Sequence, residues 1–466
     1  MANKFYVTTA IDYTNDVVHI GHSYQKILAD ALARYHRALG DQTFFLTGTD
    51  EHGQKVEKSA VEHGVEPKKF VDQIAALDKA EWDALNISYD RFIRTTDEDH
   101  VKFAQEIYLK SKAASDIYLS KFEGLYCEGC ESYLEETELV DGHCPFHPTK
   151  IPLRVSEENY FFRLSKYQQF LEGLLAEGTK FVIPDNKRKE ILSFVKQGLK
   201  DFSVSRPNVK WGIPVPDDPK HTLYVWFDAL INYLTYGVEE KCWPADVHVL
   251  GKDNAKFHAI YWPAILKSAG YELPKTILVH DFLSLNGQKI SKSLGNVILP
   301  SELVGKFGVD AVRYYFLRYG PLTNDVDISL ERIKDTYNSD LANGLGNLVA
   351  RVAKLAENNN TNTSKLAVDE DNTLWNDVSS QLDKYKVNEA LGIIWLAITG
   401  LDKYLEKERP WENGLEKIVV ITTAINQIRK IAFCIQPFLP ETAAKILDQF
   451  KGPQIKTAAP LFPRIK

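Results

Sequence analysis

Methionine is nearly absent from this chain of 466 residues: Met1 is the only one. Cores commonly use that flexible thioether as a gap filler, so these cores are built without it. Cysteine is scarce as well, and five residues are too few for a disulfide framework in a chain this long. Three of the five, Cys127, Cys130 and Cys144, nonetheless crowd into one short stretch. No uninterrupted apolar run is long enough to cross a bilayer, and Met1-Ala2-Asn3-Lys4 leads straight into a β-prone run with no signal segment. A basic excess is also missing. With a net charge of −7, any nucleic-acid contact has to come from a local basic face. These absences predict a cytoplasmic protein with no membrane partner.

What is present, 44% hydrophobic and 26% charged residues, suits a soluble globular chain, and the length predicts roughly three folding units. An apolar run from Phe5 to Thr9 leads into Tyr-Thr-Asn-Asp-Val-Val-His-Ile-Gly-His at 13–22. Ile27, Leu28, Ala31, Leu32, Tyr35 and Leu39 then recur at helical spacing before Gly40, and Gln42 to Leu46 reads as a second strand. The chain therefore opens with a βαβ unit. A helix start at such a turn offers unpaired N–H groups and a positive dipole end to a polyphosphate. His19 and His22 would add imidazole donors, and Gly21, lacking Cβ, would let a flat base approach the backbone. That is an ATP site in outline.

Two further patterns carry chemistry. Cys127-Glu128-Gly129-Cys130 and Cys144-Pro145-Phe146-His147 have the doubled two-residue gap of a tetrahedral Zn²⁺ site. Four protein ligands leave no position for water, so that one zinc would be structural; the bland alternative is buried thiols and a surface histidine. Asn286-Gly287 predicts a tight turn just ahead of Lys289-Ile290-Ser291-Lys292-Ser293.

His19-Ile20-Gly21-His22 resembles the HIGH motif of class I aminoacyl-tRNA synthetases, and Lys289 to Ser293 resembles their KMSKS motif with Ile290 in place of methionine. The resemblance covers nearly the whole chain and, within the class, points to the methionyl-tRNA synthetases. It implies a Rossmann-type α/β parallel sheet split by a zinc-containing insertion and followed by an all-α anticodon-binding bundle. The divisions expected are residues 1–116 and 221–295 for the two catalytic halves and 117–220 for the connective-peptide insertion. A stem-contact region at 296–345 and an anticodon-binding domain at 346–466 would complete the chain.

The resemblance also implies roles. Asp50, in Thr-Gly-Thr-Asp-Glu-His-Gly at 47–53, holds the α-ammonium of methionine. Trp226, Ala229, Leu230 and Tyr233 share a helical face and form the side-chain pocket, with Ile11 and Tyr13 on its other side. His258 lines that pocket, and Asn254 stands where relatives usually have an apolar residue. Gly251 and Asp253 bind ATP with Gly21 and Lys292, Asp253 accepting from the ribose hydroxyls. His19, His22, Lys289 and Lys292 stabilise charge on the departing pyrophosphate, which favours rate over mere affinity.

Helices are predicted at Lys166 to Glu177, Pro300 to Leu317, Ser329 to Leu345, Thr373 to Tyr385, Asn388 to Glu406 and Glu416 to Phe438. Asn343, Asn347 and Arg351 recur at intervals of four and so share one helical face, by itself an ordinary polar face. By resemblance these three and Trp411 read the anticodon, the indole stacking on an unpaired base.

The expected activity is ligation of L-methionine to initiator and elongator tRNA(Met) through methionyl-adenylate, with ATP and Mg²⁺. The chain ends soon after the bundle, which predicts a monomer. The alternatives are a class I synthetase for another amino acid or a noncatalytic tRNA-binding paralogue. A cysteinyl enzyme would carry a zinc-ligating cysteine just before the first motif, where this chain has none; valyl, leucyl and isoleucyl enzymes need a larger insertion than 117–220. Intact histidines and lysines speak against the paralogue.

Overall fold

A computed structural model describes residues 3–129, 132–134, 136–145, 151–290, 295–363, 372–412 and 416–466. Strands β1 (Lys4–Thr9), β2 (Asp12–Tyr13), β3 (Gln42–Asp50), β4 (Arg91–Arg94), β5 (Val182–Ile183), β6 (Val247–Gly251) and β7 (Thr276–His280) form one sheet. Their order is β2-β3-β1-β6-β7-β5, with β4 also on β3, and all pairings are parallel. From β1 the chain passes through helix α1 (Ile20–Ala38) to β3 on one side, and it later returns as β6 on the other. The order reverses at β1, so ligands are expected in the crevice beyond the carboxyl ends of β1 and β6.

Parallel strands are covered on both faces and read as continuous apolar runs. Phe5 and Val7 point into a core shared with α1, while Tyr6 between them points into the opposite core with Phe162, Phe227 and Trp262. The first core runs without a break into the C-terminal helices, taking in Leu28, Tyr314, Leu391 and Ile428.

An antiparallel layer interrupts the parallel one. Ile117–Cys127 and Leu153–Phe162 pair from Ile117↔Phe162 to Tyr126↔Leu153, with Ser132–Leu134 and Phe202–Ser203 at the margins. Of the predicted helix at Lys166 to Glu177 there remain a 3₁₀ turn and Gln168–Leu174.

The C-terminal part is helical, with Thr373–Leu382, Val387–Glu408 and Lys417–Ile435 close to expectation. Pro300 to Leu317 is instead two helices, Pro300–Phe307 and Val309–Tyr319, because Gly308 between them adopts φ 81°. Ser329 to Leu345 is also divided: Ser329 caps Leu330–Thr336 by accepting from the Arg332 N–H, and Tyr337–Gly346 winds as a π-helix. A π-turn uses i→i+5 bonds in place of i→i+4, and this one runs directly into the helix Asn347–Asn358. Lys417–Ile435 is long and apolar enough to cross a membrane by length and composition. Asn426, Gln427, Arg429 and Lys430 divide it, so it holds no unbroken apolar run of that length. Its Ile421, Ile425, Ile428 and Ile435 are buried in the bundle core.

Candidate active site

The start of α1 lies at the switch point, and two histidines cap it reciprocally. His19 Nδ1 accepts from the Gly21 N–H at 3.1 Å, and His22 Nδ1 accepts from the His19 N–H at 3.2 Å. With both Nδ1 atoms used as acceptors, a neutral ring carries its hydrogen on Nε2. Burial, and after it the charge of Lys26, lowers His22 to about 4, so this ring is neutral at pH 7. Gly21 is needed by the cap itself. A Cβ there would stand 2.7 Å from Cε1 of His19, so it is the cap's own imidazole that closes over the bare Cα.

The second motif comes to the first through Ile290. This side chain is buried among α1 residues, with Cδ1 at 3.8 Å from where a Gly21 Cβ would be. The exchange of methionine for isoleucine therefore keeps an apolar contact between the motifs. Lys289 is exposed on a hairpin whose turn has Asn286 at φ 53° and Gly287 at φ 74°, as the dipeptide predicts. Ser291, Lys292 and Ser293 lie outside the described residues. The Ile20 N–H donates to the Ile298 carbonyl at 3.0 Å, tying the segment after the loop to the helix start.

Asp253 follows the end of β6 and folds back over Gly251, where a Cβ would meet its Oδ1 at 2.7 Å. Its carboxyl faces solvent but stands against enough protein that desolvation raises it from the ordinary value, and the charges of Lys289 and Lys252 oppose that rise. Gly251, Asp253 and Lys289 are thus brought to the same crevice.

Across it, the register of β2 on β3 sets Tyr13 opposite Asp50, which is buried, and Thr14 donates to the Asp50 carbonyl through N–H and Oγ1. The Lys55 ammonium lies 5.4 Å from the Tyr13 ring centroid. Ala229, Leu230 and Tyr233 are buried on the helices Val225–Leu230 and Asn232–Glu239, and Ile11 is half-buried against the same core. Trp226 stacks face to face on Phe257, 3.6 Å between centroids at 4°. Phe257 was missed in the sequence, where only its place before His258 marked it.

His258 is buried, and burial lowers it to about 4. Its Nδ1 donates to the Asn254 carbonyl at 2.9 Å, so Nε2 accepts from the Tyr233 hydroxyl at 2.7 Å. Asn254 enters this arrangement through its main chain, which any residue type supplies.

What anchors these elements leaves no mark in the sequence. Asp228 is fully buried with one oxygen on His52 Nδ1 and the other on His100 Nε2, each at 2.7 Å. Burial alone would raise its carboxyl, but the two imidazoles outweigh that and hold it below the ordinary value. The pairs join the loop after Asp50 to the helix of Trp226. Glu51, also fully buried, takes Arg94 through both oxygens at 2.5 and 2.9 Å. Partners 43 to 176 residues apart leave no local pattern.

Cys127 and Cys144 are both buried, and Asp141 and Gly142 between them make a left-handed turn closed by the Val140↔His143 bridge. Cys130 and His147 lie outside the described residues. Lys55 donates to the Gly129 carbonyl at 3.3 Å, so the knuckle abuts the crevice. In the bundle, the Arg351 guanidinium lies 4.8 Å from the Trp411 centroid and is held by Asp402 at 2.9 Å and Glu406 at 2.6 Å. Asn343 and Asn347 are exposed, and Asn343 accepts from Arg464 at 2.8 Å, so it keeps different company from Arg351.

A family model described as tRNA synthetases class I (M) matches residues 5–151 and 149–353. A methionine-tRNA ligase of Caldanaerobacter subterraneus subsp. tengcongensis is 41% identical, covering 100% of this chain and 79% of its own. One of Thermotoga maritima is 43% identical over 95% of this chain and 74% of its own. The structure of Mycobacterium tuberculosis methionyl-tRNA synthetase in complex with methionyl-adenylate superposes with a TM-score of 0.92 at 38% identity, covering 99% of this chain and 100% of that one.

Proposed function

The chain belongs to the methionyl-tRNA synthetases, and from that premise we propose how its residues divide the work. The enzyme ligates L-methionine to tRNA in two steps through methionyl-adenylate, consuming ATP and releasing AMP and pyrophosphate. The observation that carries the assignment of residues is the meeting of the two motifs, with the Ile290 side chain at Gly21 and Lys289 next to it in the chain.

Asp50 takes the α-ammonium, and Trp226 on Phe257, Ala229, Leu230, Tyr233 and His258 with Ile11 and Tyr13 enclose the thioether. Asp253 accepts from the ribose, and the cleft at Gly251 and Gly21 receives ATP, which enters with Mg²⁺. The methionine carboxylate attacks the α-phosphorus and pyrophosphate leaves. His19 and His22 present Nε2–H, and Lys289 and Lys292 present ammonium groups, to the oxygens that gain charge. No side chain becomes covalently attached; positioning and electrostatic stabilisation carry the step.

Cys127, Cys130, Cys144 and His147 would hold one Zn²⁺. The two described thiols fit this, both buried beside a tight turn, as metal-bound thiolates would be. Bound there, zinc supplies folding energy to the knuckle. Arg351 and Trp411 serve the anticodon of tRNA(Met), initiator and elongator alike, with Asn343 and Asn347 ahead of Arg351 on the same helical run. The enzyme acts as a monomer in the cytoplasm.

Amino-acid-dependent ATP–pyrophosphate exchange tests the assignment. Exchange is expected with methionine alone among the twenty, reduced in Lys289→Ala by a factor of about 10² to 10³, the size of losing one transition-state donor. Exchange with a different amino acid would move the pocket, and none from folded protein would favour a binding-only paralogue.

A further inference from the structure

The Lys289 hairpin is pinned from outside the catalytic sheet. Its strands β8 (Leu283–Leu285) and β9 (Gln288–Lys289) are antiparallel, and β10 (Val326–Ile328), nearly forty residues downstream, pairs in parallel with β8. The registers set Ser284 opposite Lys289 on one side and opposite Asp327 on the other. From that place Asp327 Oδ1 accepts from the Gly287 N–H at 2.6 Å and from Ser284 Oγ at 2.8 Å. Those two bonds, the backbone one first, hold its carboxyl below the ordinary value. Asn286 adds a third tie, its N–H donating to the Ile328 carbonyl at 3.0 Å. Asn-Gly favours a turn with φ of 53° and 74° by itself, and the downstream strand fixes where that turn sits.

The other end of β8 is held by the same strand. Asp325 Oδ1 accepts from the Phe282 N–H at 2.8 Å and from Lys252 Nζ at 2.6 Å, and Lys252 immediately precedes Asp253. One short segment thereby sets the turn that projects Lys289 and steadies the loop carrying Asp253.

We propose that Asp327 is a positioning residue for adenylate formation: it fixes the hairpin so that Lys289 reaches the leaving pyrophosphate. The proposal rests on the role given above to Lys289. Ser284 and Gly287 both use Oδ1, while the exposed Arg332 stands 3.9 Å from Oδ2, so what the turn itself takes from Asp327 is an acceptor at that position.

Asp327→Ala is therefore expected to lower kcat of methionine-dependent pyrophosphate exchange about 10-fold to 100-fold with KM for methionine unchanged. Asp327→Asn, which keeps an acceptor oxygen, should return kcat to within about 3-fold of the parent. In a Lys289→Ala background the same Asp327→Ala change should cost less than about 3-fold, because the lysine it positions is gone. Should Asp327→Ala not fold, Ser284→Ala removes one of the two donors and carries the same cycle with a smaller loss. Equal losses in both backgrounds, or an unchanged rate beside a slow Lys289→Ala, would overturn the proposal alone. A fast Lys289→Ala would overturn the role of Lys289 and the proposal with it.

Discussion

The Tyr233 hydroxyl donates to a ring nitrogen whose role is already decided. The Asn254 carbonyl takes the Nδ1 hydrogen of His258, which leaves Nε2 as an acceptor inside protein. Burial keeps that ring uncharged at neutral pH and raises the phenol, so the donor and acceptor roles are fixed across the physiological range. An uncharged acceptor and an aromatic wall suit a thioether, which offers neither charge nor a strong donor. In Tyr233→Phe the buried Nε2 loses its donor, at a cost of about 1 to 2 kcal/mol in stability. On the proposed assignment, the KM for methionine should rise several-fold while the KM for ATP holds. Denaturant titration and exchange kinetics on the purified variant read both, and an unchanged KM for methionine would detach this pair from the pocket.

At the scale of elements, β4 runs so close to β3 that Gly48 admits no side chain: a Cβ there would lie 1.8 Å from the Ile93 carbonyl oxygen. Gly48 is two residues before Asp50, so this approach sets the end of the strand that carries it. Gly48→Ala must push the strands apart. A loss of about 3 kcal/mol is expected, near the upper end for overpacking, with weaker methionine binding in whatever remains folded. Thermal melts with and without saturating methionine check it, and a parental melting curve would show that the strands yield freely. The longer elements were legible because their apolar residues repeat: β1 and β3 as runs, α1 at helical spacing, the hairpin from Asn286-Gly287. The two-residue strands β2 and β5 are too short for a period, and a π-helix at Tyr337–Gly346 replaces hydrogen bonds without changing which residues are apolar. The motif residues at the site were legible as motifs. Asp228, His52, His100 and Phe257 were not, because the bonds that give them meaning close only in the fold.

For the whole molecule the question is what makes catalytic sheet and helical bundle one body. Apolar packing is continuous between them, and at its centre stands Arg313, fully buried on Val309–Tyr319. Its guanidinium pairs with Asp30 of α1 at 2.6 Å, and donates to the carbonyls of Leu85 at 3.3 Å, Phe438 at 2.9 Å and Pro437 at 3.3 Å. One side chain thus satisfies acceptors from the helix after the first motif, from the turn before β4 and from the end of the bundle helix Lys417–Ile435. Tyr35 adds a peripheral bond to Asp383 at 2.7 Å. Arg313→Met would fill much of the same volume and leave three buried carbonyls without their donor. Asp30 would keep Arg34 at 2.6 Å and the Ser88 N–H at 2.7 Å, so the charge is not abandoned. The cost should lie near the lower end for breaking a buried pair, about 3 kcal/mol. Because the lost bonds join the two parts, calorimetry of Arg313→Met should show the bundle melting apart from the sheet at a lower temperature. Acylation of tRNA, which needs both parts held at a fixed distance, should fall more than pyrophosphate exchange, which makes no use of the bundle. Equal losses in the two reactions would mean that Arg313 supports the catalytic fold and not the junction.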